Sequence, residues 1–248
     1  MVFVQIPKII GFIYALVMIA VIAYLWYSGR WLLLVISAMV GFLIFSPVAP
    51  YQFQQLVLRD VQGLGAPLIV GIIGLSTVFV LTFVFGRFFC GYLCPVGTVQ
   101  EIAYHAPVPK FKPGLKKVFM AVRAVVFVVF IGMAFLLSAS LLAWFGIKEF
   151  FYLSLTAGTP VFVGVILLSI TFYRPFCRLI CPYGALLSLT AWKSVLRLQR
   201  TDACIGCKKC EKACPADEAK QGDGKAECYL CGRCLDACPA TGALTYKR

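Results

Sequence analysis

Apolar residues fall in five long blocks along the chain, at about residues 9–27, 31–45, 67–85, 118–145 and 160–173, with polar residues gathered between them. A bilayer span needs about 20 mainly apolar residues. The second and fifth blocks reach that length only with their flanks, to residues 49 and 176. The pattern predicts an all-α polytopic membrane protein of about five transmembrane helices. Only Lys8 precedes the first block, and no small-residue cleavage site follows it. That block is therefore read as a retained span, not a signal peptide.

Two stretches read almost alike at an offset of 87: FGRFFCGYLCPVG over 85–97 and FYRPFCRLICPYG over 172–184. Each follows an apolar hairpin, so 31–117 and 118–200 form a parallel repeat of two hairpins. Residues 1–30 stand outside the repeat as an extra N-terminal transmembrane helix. Parallel repeats are related by an axis along the membrane normal. That symmetry is expected to bring Cys90, Cys94, Cys177 and Cys181 together on one side. Cysteines at i and i+4 on a helical turn share a face. Pro95 and Pro182 suit the first turn of a following helix. Four thiolates suffice for a third redox or metal centre; structural thiols or a disulfide are the plain alternatives, the disulfide being disfavoured on a reducing cytoplasmic face. Residues 183–200 place Lys193, Arg197 and Arg200 at helical spacing, which fits an amphipathic connector or a solvated one.

From residue 201 the composition changes. Cys204-x2-Cys207-x2-Cys210-x3-Cys214-Pro is followed by Cys228-x2-Cys231-x2-Cys234-x3-Cys238-Pro. This is the run of bacterial ferredoxins, in which the fourth cysteine serves the other cluster. Residues 201–248 are thus expected to form a small α+β two-cluster ferredoxin-like domain. One [4Fe-4S] cluster would use Cys204, Cys207, Cys210 and Cys238. The other would use Cys228, Cys231, Cys234 and Cys214. Zinc sites more often pair two separated C-x2-C units.

Composition sharpens the picture. The chain is 61% hydrophobic and 13% charged, with a mean hydropathy of +0.91. These values exclude an ordinary soluble domain and a disordered chain. The net charge of +13 would suggest nucleic acid in a soluble protein. With five spans and an outer N-terminus, however, twelve Lys and Arg up to residue 200 fall on the inner side and three on the outer. That asymmetry marks the cytoplasmic face. It predicts a multi-pass protein of a prokaryotic inner membrane, with the ferredoxin-like domain cytoplasmic and no nucleic-acid partner. His105 is the one histidine, so a bis-histidine haem within the chain is excluded. It is read as a solvated loop residue in preference to a proton relay or a quinone ligand. Gln52, Gln54, Gln55, Arg59 and Asp60 are read as ordinary outer-loop residues.

Helical hairpins ending in FC-x3-CP, followed by a double ferredoxin run, resemble the NapH/NosR/CcoG group of membrane 4Fe-4S proteins. The resemblance covers about residues 31–248. It implies an iron–sulfur electron-transfer subunit working between a quinone pool, or a membrane or periplasmic partner, and cytoplasmic-side clusters, in a complex with other subunits. A NapH-like quinol dehydrogenase component, an oxidoreductase subunit, is the implied type. The extra first span departs from the simplest NapH pattern of four. Two other classes fit the same residues: a copper reductase or maturation factor, and a redox-sensing assembly or regulatory protein.

Overall fold

The computed structural model describes residues 30–44, 49–58, 68–112, 114–137 and 141–247. The expected first span lies outside the described residues, as do Arg59 and Asp60. The described chain is mostly helical. Its main helices are α1 (Arg30–Ile44), α2 (Ala49–Val57), α3 (Leu68–Phe85), α4 (Pro95–Tyr104), α5 (Lys116–Leu137), α6 (Ile147–Phe151), α7 (Thr159–Thr171) and α8 (Pro182–Trp192). Shorter helices α9 (Lys209–Ala213) and α10 (Arg233–Asp236) belong to the cysteine-rich end, with strands β1 (Arg197–Arg200) and β2 (Leu244–Lys247). One helix, Lys116–Leu136, is long and apolar enough to cross a membrane. The apolar helices Gly71–Phe85 and Thr159–Thr171 are shorter, so five spans are not established. Large apolar side chains nonetheless point outward from α3, α5 and α7, among them Ile69, Ile73, Val80, Val125, Val128, Leu136 and Leu167. Contiguous apolar surface of this kind marks a lipid or protein contact.

The two repeats fold alike. α3 and α7 each lead into a wide turn, Phe89–Leu93 and Phe176–Ile180, and then into α4 and α8. Each turn closes through an i+5 bond: Cys94 N–H to Phe89 O at 2.9 Å and Cys181 N–H to Phe176 O at 2.9 Å. The cysteine spacing therefore rides on a π-turn, a form frequent at functional sites, and not on the α-turn expected from sequence. A proline disfavours helical backbone in the residue before it. Cys94 and Cys181 accordingly sit extended, at ψ 116° and 111°, and cap the helices that Pro95 and Pro182 begin.

The amphipathic helix considered for 183–200 does not form. α8 stops at Trp192, and the backbone N–H groups of Val195 and Leu196 are taken by the carbonyls of Phe83 and Val84. Arg197–Arg200 then pair antiparallel with Leu244–Lys247. Lys193, Arg197 and Arg200 share no helical face, and the sheet straddles the domain boundary drawn at 200. Gln54 and Gln55 are not loop residues either. They are buried in α2, and Gln54 Oε1 accepts the Leu142 N–H at 2.8 Å.

The cysteine-rich end is fastened to the helices by a buried carboxylate. Glu227 Oε2 meets Arg87 Nη1 at 2.7 Å, and Glu227 Oε1 meets Arg123 Nη2 at 2.5 Å. All three side chains are almost fully buried. Burial alone would raise the Glu227 carboxyl, but Arg87 and Arg123 outweigh it and hold it at about 2. Lys116 adds a partly exposed bond to Glu218 at 3.0 Å. Removing one partner of a buried ion pair costs about 3–5 kcal/mol, because the other charge stays uncompensated. Glu227→Gln is expected to lower the thermal midpoint sharply and to speed proteolysis of residues 201–248. The pair Arg200–Glu211 is only partly buried and is worth about 1 kcal/mol, so Glu211→Gln is expected to lower the midpoint far less.

Candidate functional site: two thiol-lined cavities joined at Gly91 and Tyr229

Cys90, Cys94, Cys177 and Cys181 line one small cavity, with Arg87, Val96, Phe176, Tyr183 and Gly184 among its other walls. All four thiols are buried and free. Two sulfurs accept N–H bonds: Cys177 Sγ from Gln100 Nε2 at 3.5 Å, and Cys181 Sγ from Gly184 N at 3.2 Å. Gln100 also accepts the Phe176 N–H at 3.0 Å, so one side chain ties the two repeats together.

The repeats also exchange arginines. Arg174 donates to Cys90 O and to Gly91 O (2.7 Å), and its Nε meets Glu101 Oε2 at 2.8 Å. Arg87, its repeat mate, reaches the other way, with Nη2 close to Gly184. Arg87 is fully buried, and its Nε and Nη2 have no hydrogen-bond partner. A guanidinium with free donors on the wall of a four-thiol cavity suits a centre of net negative charge, because a buried charge requires compensation. The donor set fits a [4Fe-4S] cluster, which takes four cysteine thiolates.

A second cavity is lined by Cys214, Cys228, Cys231 and Cys234, with Ala216, Ala219 and Gly232 leaving room. Burial pushes the Cys228 and Cys234 thiols up to about 12, and neighbouring thiols push the same way. Their thiolates need a cationic partner, which iron supplies. Cys214 Sγ accepts the Glu218 N–H at 3.3 Å. The loop round this cavity turns through two left-handed residues, Leu230 (φ 54°) and Gly232 (φ 74°). The other run does the same one motif earlier, at Gly206 (φ 68°) and Lys208 (φ 56°).

The remaining four cysteines are less closely gathered. Cys204 and Cys210 both lie in the field of Arg200, which approaches Cys210 Sγ at 3.7 Å. Cys207 is exposed, and Cys238 is half-buried with its thiol 3.4 Å from Ala240 O. Among the described residues, no three Cys, His, Asp or Glu side chains converge on a point that would hold a single metal ion. A cubane sets less strict a demand, since each thiolate binds a different iron.

The two well-formed cavities meet at one contact. The backbone carbonyl of Tyr229, next to Cys228, rests on the α-carbon of Gly91, next to Cys90, and leaves no room for a β-carbon there. The Tyr229 ring lies between the guanidinium groups of Arg87 and Arg174, 4.6 and 4.9 Å away. Sequence reasoning missed Arg87, Arg174, Glu227 and Tyr229. The two arginines were visible as matched positions of the repeat.

A family described as a 4Fe-4S binding domain matches residues 67–116 and 157–201. These segments carry the two C-x3-CP pairs. The chain is 30% identical over 153 residues to the uncharacterized protein MJ0750 of Methanocaldococcus jannaschii, covering 57% of this chain and 63% of that one. It is 28% identical over 158 residues to the putative electron transport protein YccM of Escherichia coli, covering 55% and 43%. It is 30% identical over 155 residues to the methylamine utilization ferredoxin-type protein MauN of Methylobacillus flagellatus, covering 56% and 53%. These likenesses support a 4Fe-4S ferredoxin-type family. They do not single out NapH. The chain spans less than two thirds of each relative's length. No solved structure matches it significantly. The family and the relatives' names together support iron–sulfur electron transfer, and [4Fe-4S] clusters as the cofactor.

A Cβ at Gly91 must displace backbone, whereas one at Gly132 meets nothing within 4 Å. Overpacking costs about 1–3 kcal/mol. Gly91→Ala is expected to lower the thermal midpoint and the iron retained by the purified protein. Gly132→Ala is expected to leave both unchanged.

Proposed function

We propose that the protein is a membrane-integral electron-transfer subunit carrying three iron–sulfur centres. Two would be the [4Fe-4S] clusters of residues 201–248, ligated by Cys204, Cys207, Cys210 and Cys238 and by Cys228, Cys231, Cys234 and Cys214. The third would sit among Cys90, Cys94, Cys177 and Cys181. The observation that carries the reading is the junction at Gly91 and Tyr229, where a buried four-thiol cavity touches a second, partly buried one. One-electron exchange requires such proximity. The reading places the chain across a prokaryotic inner membrane with the cluster domain on the cytoplasmic side. It exchanges electrons there with a quinone pool or a membrane partner, as one part of a complex.

Each cluster supplies one-electron chemistry when bound, and the chain's residues hold and tune it. Burial keeps water from the sulfurs of Cys90, Cys94, Cys177 and Cys181. N–H donors from Gln100, Gly184, Glu218 and Arg200 reach four of the cysteine sulfurs, and hydrogen bonds to sulfur set cluster potentials. Arg87 offsets the negative charge of the inner centre.

Metal analysis tests the reading. Two cubanes give about eight irons per chain and three give about twelve. The expected result is the higher value, falling by about four in Cys90→Ser and Cys181→Ser. A value of about eight, unaffected by those substitutions, would remove the third centre. Copper retained in its place, and lost on the same substitutions, would favour the metal-reductase class.

A further inference from the structure

The segment that joins α4 to α5 is basic and apolar at once. Over residues 108–118 the chain reads VPKFKPGLKKV, with four lysines and no acidic residue. It is tied down. The Phe111 N–H donates to Thr171 O at 2.9 Å, and Phe111 bridges Phe172 in parallel register. Lys110 Nζ donates to Ala106 O at 2.6 Å and to Ile170 O at 2.8 Å. The segment is thus strapped across the end of α7, on the side of the molecule that carries the two cysteine turns.

The four lysines differ in their partners. Lys110 is held by those two carbonyls and lies over the Tyr104 ring, 4.6 Å from its centre. Lys116 is neutralised by Glu218 at 3.0 Å and Asp223 at 3.3 Å. Lys112 and Lys117 are exposed. Among the described residues no carboxylate pairs with either, because the two that reach the strap both meet Lys116. Lys112 gives one N–H to the Lys212 carbonyl. An ammonium has three donors, so Lys112 keeps two of them and its whole charge.

The apolar residues of the strap also face outward. Phe111 is 65% exposed, and Val108 and Leu115 are exposed beside the lysines. From Leu115 the exposed apolar surface continues through Val118, Val122 and Val125. Their spacing of three and four residues makes one stripe along α5, the helix long enough to cross a membrane. An apolar stripe that ends among uncompensated lysines suits a bilayer surface, where apolar side chains meet acyl chains and long basic ones reach the phosphates. A soluble acidic protein would satisfy the lysines but leave the α5 stripe uncovered.

We propose that residues 108–118 form a binding surface for anionic phospholipid, with Phe111 and Leu115 among the upper acyl chains and Lys112 and Lys117 on the headgroups. The inference rests on the reading of the chain as membrane-integral and deepens it by naming a lipid class and the residues that meet it. Zwitterionic headgroups carry no net charge to offset these lysines, so the surface selects anionic ones. The strap also touches the cysteine-rich end through Lys112 and Lys116, so lipid contact and docking share one segment.

The test uses the full chain in nanodiscs of phosphatidylcholine alone, or of phosphatidylcholine and phosphatidylglycerol in equal parts. Each lysine is acetylated by a water-soluble reagent, and mass spectrometry of the peptides reads the rate at each position. Rates at Lys112 and Lys117 are expected to fall about fivefold or more in the mixed discs, the effect of one basic residue at an anionic surface. Rates at Lys208 and Lys209, exposed in the cysteine-rich end, are expected to change little. The fall is expected to shrink as salt is added, since exposed charges are screened. A second measurement counts the phosphatidylglycerol that co-purifies in detergent. Lys112→Gln combined with Lys117→Gln is expected to lose most of it, and Lys208→Gln combined with Lys209→Gln to keep it. Equal rates at Lys112 and Lys117 in the two kinds of disc would overturn the lipid surface. So would protection seen in native membranes but not in the mixed discs, since a protein would then cover the strap. Recovery of the chain outside the discs, free of lipid, would overturn the membrane-integral reading itself.

Discussion

The arrangement depends on two buried guanidinium groups placed at matched points of the repeat. Arg87 and Arg174 are both essentially inaccessible, and a bare charge in that position is very costly. Each is compensated by crossing to the other half of the molecule. Arg174 is held by the carbonyls of the first π-turn and by Glu101 of α4. Arg87 is held by Glu227 of the cysteine-rich end and lies against Gly184 of the second repeat. The two turns that carry Cys90, Cys94, Cys177 and Cys181 are fixed in relation to one another because their arginines have no other compensation.

That exchange is symmetric in the repeat and asymmetric in its partners, and the asymmetry has a use. The carboxylate serving Arg174 is local to the helices. The one serving Arg87 comes from residue 227, and it also engages Arg123 of α5. The pair Arg87–Glu227 therefore docks the ferredoxin-like end as well as satisfying a charge. Arg178 contributes a weaker hold, donating to Pro215 O at 3.3 Å. Four basic residues that count toward a cytoplasmic excess in the sequence (Arg87, Arg123, Arg174 and Arg178) are buried in this network. Their charge is spent inside the fold and not at a membrane surface, so the Lys and Arg asymmetry is a weaker sign of orientation than its raw size suggests.

Much of the site was legible in the sequence because spacing and repetition encode it directly. The offset of 87 carried the cysteines, the prolines and the gathering of the four thiols into one cavity. The second ferredoxin run carried the grouping of Cys214 with Cys228, Cys231 and Cys234. What was not legible depends on contacts distant in sequence. Arg87 and Glu227 are 140 residues apart, and Arg174 and Glu101 are 73 apart. A charged residue after an apolar block reads as an interfacial anchor until its acceptor is known. Residues 193–200 misled for a related reason. Their helical charge spacing was genuine, but free carbonyls at Phe83 and Val84 and the strand Leu244–Lys247 offered backbone partners that a helix would forgo. The membrane spans were the least secure, since apolar length in sequence does not fix how much of it becomes one continuous helix.

The junction at Gly91 links these points into one physical argument. Tyr229 is held by its backbone against Gly91 and by its ring between Arg87 and Arg174. The same two arginines shape the four-thiol cavity. Any movement that lifts the ferredoxin-like end must strip Arg87 of Glu227, unstack Tyr229 and open the cavity around Cys90 together. A cavity of about 240 Å³ shares Gly91, Arg174 and Tyr229 with this junction. It therefore exists only while the end is docked. The shape of that cavity and the closeness of the two thiol sites are thus set by one group of side chains.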